Sequence, residues 1–258
     1  MKGAIDSIWE KIPAAMTTIR CSRVIRKLWL RKERVVAEPS SSISRLSKES
    51  CQYWIHWQPP HILDPSDPEV IGKLIADTLL VQPRHKLSSV AKFYGSGVYA
   101  IYYAGPFYAY ELITGTDKPI YVGKADPASA DAISPSAQGT TLWRRLQDHR
   151  KTISAATSTL DINDFDCRFL VVKSAWQGTA ESYLIDRFKP VWNNEVGICY
   201  GFGKHGDSAT TRGNTRSPWD TLHPGRKWAG EGNKPNPLSA SAIAVKIVEH
   251  LRSVAGLG

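Results

Sequence analysis

The stretches Gly97-Val98-Tyr99-Ala100-Ile101-Tyr102-Tyr103 and Ile120-Tyr121-Val122-Gly123-Lys124-Ala125 decide how this chain is read. Each is a short run of β-branched and aromatic residues bounded by glycine or proline, which is strand composition. Alternation puts Tyr99, Ile101 and Tyr103 on one face of the first strand and Val98, Ala100 and Tyr102 on the other. The link AGPFYAYELITGTDK between them is too long for a tight turn, but it ends in the turn formers Gly115, Asp117 and Pro119.

Working outward, a helix is expected from Thr140 or Thr141 through LWRRLQDHRKTI. A third strand follows within 164–174, and a helix over 178–189 is stopped by Pro190. Upstream, DPEVIGKLIADTLL (67–80) reads as a helix capped by Ser66 or Asp67, with Ile71, Leu74, Ile75 and Leu79 as its apolar stripe. The expected core is of the α+β (mixed α/β) class, in the order β-β-α-β-α.

Helical geometry sorts the polar residues of the 141–153 segment. At about 100° per residue, Leu142, Leu146 and Ile153 share one face, with Arg145 and His149 together on its flank. Arg144 points almost opposite and is expected to be solvated and idle. Glu181 lies one step off the stripe of Ala180, Leu184 and Phe188; it can serve the helix N-terminus or anchor a cation. Asn193, after Phe188-Lys189-Pro190-Val191-Trp192, can fix the helix end or hold an active-site group.

This ordered set, GVYAIYY and IYVGK, then Arg145 and His149, then Glu181, then Asn193, resembles the GIY-YIG nuclease family over about residues 93–194. The resemblance implies a small three-stranded antiparallel sheet flanked by helices, here elaborated by N- and C-terminal extensions. It implies phosphodiester hydrolysis, with Tyr99, Tyr121, Lys124, Arg145, His149 and Asn193 as catalytic residues. Glu181 would be the metal ligand and Mg²⁺ the cofactor, with no small-molecule cofactor. Tyr99 and His149 both stand as candidate proton acceptors.

Net charge is +9 and unevenly placed. Residues 1–50 hold 11 Lys/Arg against 5 Asp/Glu, residues 51–194 balance at 14 each, and residues 195–258 hold 8 against 5. Basic flanks around a neutral middle suit a polyanionic partner such as double-stranded DNA. The expected layout is a basic arm and Ser-rich linker (1–50), a helical extension (51–92), the catalytic core (93–194) and a DNA-recognition loop region with a last helix (195–258). In that last region Arg212, Arg216, His223, Arg226 and Lys227 alternate with tryptophans and are expected to contact DNA. Ile243, Ile247 and Leu251 form a packing or dimer stripe.

No apolar run approaches the roughly 20 residues of a membrane span. Four scattered cysteines and no export signal suit reduced thiols in the cytoplasm. Sequence on both sides of the core, with WDTLHPGRKWA after it, resembles the type II restriction branch, whose similar members cut GC-rich palindromes; a palindrome implies a homodimer or higher assembly. A structure-selective repair or homing nuclease, or a catalytically inactive DNA-binding module on the same scaffold, are the alternatives.

Overall fold

A computed structural model describes residues 63–173, 175–203, 215–230 and 233–257. The basic arm, the linker, Arg212 and much of the loop around it lie outside the described residues. Four strands form one antiparallel sheet: β1 (His85–Lys86), β2 (Gly97–Tyr103), β3 (Tyr121–Ala125) and β4 (Phe165–Val171), in the order β1-β4-β2-β3. The three long strands are the expected ones. The two-residue β1 joins the far edge by pairing His85 with Cys167. It is too short to show alternation, so nothing in its sequence marks it.

Every residue of β2 is buried, because both faces of the sheet are covered. Tyr99, Ile101 and Tyr103 enter a core with Leu142, Leu146 and Ile153 of α2 (Thr141–Ala155). Val98, Ala100 and Tyr102 enter a second core with Ala76 and Leu79 of α1 (Pro68–Leu80) and Ala180 and Leu184 of α3 (Gln177–Phe188). The alternation read from sequence thus assigns each β2 side chain to its core. Asp67 caps α1, accepting from the Glu69 N–H. Leu74 departs from its expected stripe and is exposed, since Gly72, Ala76 and Leu79 form the buried face.

The carboxy-terminal flank is built into the first core rather than beside it. Cys199, Phe202, Trp219 and Leu222 pack there, joined by Ile243, Ile247 and Leu251 of α6 (Ala240–Val254). The α6 stripe is therefore internal packing. Two short helices, α4 (Pro218–Leu222) and α5 (Lys227–Gly230), carry the WDTLHPGRKWA string. Asp220 receives Nε and Nη2 of Arg226 at 2.7 and 2.8 Å, and the Arg226 guanidinium lies 4.7 Å from the Trp228 ring centre. His223 is fully buried, with Nε2 2.6 Å from the Tyr110 hydroxyl and Nδ1 2.8 Å from the Thr159 hydroxyl. Burial holds His223 neutral, its pKa pushed down to about 3.

The expectation that His223 and Arg226 contact DNA is corrected by these placements. An imidazole with both nitrogens engaged inside the core, and a guanidinium locked onto a buried carboxylate, have nothing left to offer a groove. Lys227 is exposed, and Arg216 is partly buried against the Gly230 carbonyl.

Candidate active site

β3 is an edge strand, and its outward backbone groups organise the site. Val122 directs its N–H to Asn193 Oδ1 (3.0 Å) and accepts from Asn193 Nδ2 (2.9 Å). The Asn193 amide acts as a one-residue neighbouring strand, and it is itself buried. Two residues on, the Lys124 N–H donates to Glu181 Oε1 at 3.1 Å. One strand edge therefore positions both polar groups that follow α2 in the sequence. Glu181 falls in the second turn of α3, so holding β3 rather than serving the helix N-terminus is its observed contact.

The glycines of the two strand motifs have steric reasons. Tyr99 pairs with Gly123 across β2 and β3, and its phenol lies over that glycine. A Cβ on Gly123 would sit 2.5 Å from the Tyr99 hydroxyl oxygen. A Cβ on Gly97 would meet the Leu170 carbonyl at 1.9 Å. Neither position has room for a side chain.

The Tyr99 hydroxyl is 2.7 Å from His149 Nε2, and the Tyr121 ring lies 4.9 Å from the imidazole and 6.2 Å from the Tyr99 ring. Burial is the main cause that raises both phenols' pKa values, Tyr121 to about 12, while the Arg145 charge pulls each back down. Tyr99 therefore carries its proton in the free protein and can direct it at Nε2. The α2 N-terminus is docked on the sheet by Leu142 N–H and Thr141 Oγ1, which both donate to the Gly95 carbonyl (3.1 and 3.3 Å). This anchor fixes where Arg145 and His149 project.

Beside this cluster opens a cleft of about 410 Å³ lined by Lys124, Ala125, Asp126, Thr141, Arg144, Arg145 and Glu181. Lys124 Nζ is held by both Asp126 carboxylate oxygens at 2.9 Å. Glu181 has its pKa pushed up to about 7, first because burial strips its solvation. A half-buried carboxylate with one backbone donor fits a divalent cation well. Among the described residues no cluster of three or more His, Cys, Asp or Glu is placed to hold a metal, so phosphate oxygens and water would complete the shell.

Of the residues expected from sequence, the cleft gathers Lys124, Arg145 and Glu181. Tyr99, Tyr121 and His149 form the adjoining cluster, and Asn193 stands behind β3. Sequence reasoning missed Phe202, whose ring stacks on His149 (4.6 Å, 19°) and meets Tyr121 edge-on at 4.9 Å. No spacing rule ties a flank aromatic to a helical histidine. It also left out Arg144 and Asp126, both of which line the cleft.

An antiparallel sheet with two motif tyrosines beside an Arg/His helix and a helical Glu defines the GIY-YIG class. Residues 91–251, more than half of the chain, match the family model described as the Eco29kI GIY-YIG domain. The chain belongs to that family, a family of restriction endonucleases, which makes it a nuclease that binds DNA. No curated protein matches it. No helix among the described residues is long and apolar enough to cross a membrane.

Proposed function

We propose that the protein is a Mg²⁺-dependent type II restriction endonuclease that cuts double-stranded DNA at a short GC-rich palindrome, working in the cytoplasm as a homodimer or larger assembly. The observation that carries the catalytic part is that the Tyr99–His149 pair and Tyr121 form a cluster beside a cleft lined by Arg145 and Glu181. The palindrome and the assembly that reads it are supported by the family alone, with Arg212, Arg216 and Lys227 as the flank's contacts to DNA.

In this reading the scissile phosphate enters the cleft against Arg145, which neutralises charge building on the phosphoryl oxygens. Tyr99 passes its proton to His149 Nε2 as its oxygen takes one from the attacking water, and the resulting hydroxide bonds to phosphorus while the 3′ oxygen leaves. Phe202 covers one side of this pair, so the phosphate approaches past Tyr121, the cluster's partly exposed member. Lys124 and Tyr121 hold the phosphate and its solvent. When bound at Glu181, Mg²⁺ supplies positive charge to the leaving oxygen.

The test is digestion of plasmid and phage DNA with Mg²⁺. Discrete fragments with a common end sequence are expected. Cutting confined to branched or flapped substrates would replace the restriction reading by a repair reading. DNA left intact but bound would mark an inactive binding module.

A further inference from the structure

Two guanidiniums reach one cleft from consecutive positions of α2. Arg145 sits close enough to Tyr99 and Tyr121 to act on both phenols. Arg144 is the more exposed of the two, and it lines the cleft together with Lys124, Asp126 and Glu181. Successive helical residues point about 100° apart, so the second guanidinium enters the cleft away from the reacting cluster.

The Arg144 Nε donates to the Thr140 hydroxyl at 3.1 Å, and Thr140 is buried at the N-terminal end of the helix. That contact aims the fork and leaves both of its amino groups for a ligand. The cleft's other cation, Lys124, is already paired with Asp126, so unlike the two guanidiniums it meets a phosphate with part of its charge offset. Neither Arg144 nor Arg145 has a carboxylate partner among the described residues. Two uncompensated, exposed or half-exposed guanidiniums in one cleft match two anionic groups, and a nucleic-acid strand presents phosphates in series.

We propose that Arg144 binds a non-scissile phosphate next to the linkage held by Arg145, and so sets the register of the cleaved strand in the cleft. This rests on the nuclease reading above. It also reverses the expectation that Arg144 is idle.

The experiment compares Arg144→Ala, Arg144→Lys and Arg145→Ala in the full chain. Binding is read by fluorescence anisotropy on a labelled random-sequence duplex in EDTA over a salt series, and turnover by plasmid cleavage with Mg²⁺. Arg144→Ala should bind about tenfold more weakly at low salt, with the slope of log K against log salt shallower by about 0.9. Its kcat/KM should fall to match, carried by KM, and Arg144→Lys should restore the slope. Arg145→Ala should lose kcat instead. An unchanged salt slope in Arg144→Ala overturns the proposal. So does a kcat loss at saturating DNA equal to that of Arg145→Ala, which would place Arg144 on the reacting phosphate. A slope that Arg144→Lys fails to restore overturns it too, by showing damage to the fold rather than loss of a charge. If the unaltered protein cuts nothing, the nuclease reading fails, and the binding series still decides the role of Arg144.

Discussion

Glu181 is held in a state that folding alone disfavours. Its ordinary value is 4.5 and the folded protein raises it to about 7, chiefly by burial. Below about 4.5 folded and unfolded chains are both neutral at this position. As pH rises from there to about 7 the unfolded chain gives up its proton first, so stability falls, and above about 7 the loss is complete. Glu181→Gln removes the charge at every pH. It should therefore be more stable than the parent by about 1–2 kcal/mol near pH 8, the partial exposure of the site screening the rest, and equal to it near pH 4. Denaturant titrations at the two pH values measure this. The same variant should lose at least about a hundredfold in cleavage while still binding DNA. Proton and cation compete for one carboxylate, so the Mg²⁺ concentration giving half activity should climb about tenfold per pH unit below about 7. A Mg²⁺ requirement flat from pH 8 to 5.5 would remove Glu181 from the metal site.

At the scale of elements, the open edge of β3 links stability to the site. Asn193→Ala leaves the Val122 N–H and carbonyl unpaired in a buried setting, which should cost about 2–4 kcal/mol in urea unfolding. Asn193→Asp keeps the acceptor and loses the donor, so it should fall between. Because the Lys124 N–H of the same edge holds Glu181, cleavage should drop as β3 loosens. The strands were legible because period-two alternation survives on a strand buried on both faces, and Arg145 and His149 because helical spacing fixes relative angle. The edge contacts were not legible. Which side chain satisfies an unpaired strand edge depends on where α3 and its following loop come to rest, and neighbouring residues in sequence say nothing about that. For the same reason the place of Arg144 in the cleft was not legible. Its angle from the apolar face was read correctly as outward, but outward from α2 is into the cleft between α2 and β3.

The whole molecule sets a different boundary from the one composition suggests. The Gly-, Pro- and Trp-rich stretch after Asn193 reads as loops for wrapping DNA, yet its Phe202 and Trp219 are core material. Trp219 meets Trp192 edge-on at 4.9 Å and Phe202 at 4.6 Å, and Trp192 Nε1 donates to the Tyr110 hydroxyl that also meets His223. These rings close the sheet face that carries Tyr99 and meets His149 of α2. Burial of a large apolar side chain contributes roughly 1.5–3 kcal/mol, so Phe202, Trp219, Leu222 and the α6 stripe together are comparable to the total stability of an ordinary domain, about 5–15 kcal/mol. A chain ending at Asn194 keeps every residue by which the nuclease family was first discerned, but it leaves that face open to water. It should show no cooperative thermal transition by circular dichroism and should not cut DNA. A sharp melt comparable to that of the intact chain would mean that the sheet and its three helices hold together without the flank. The catalytic pair would then owe its arrangement to β2 and α2 alone, with Phe202 a cover rather than a support.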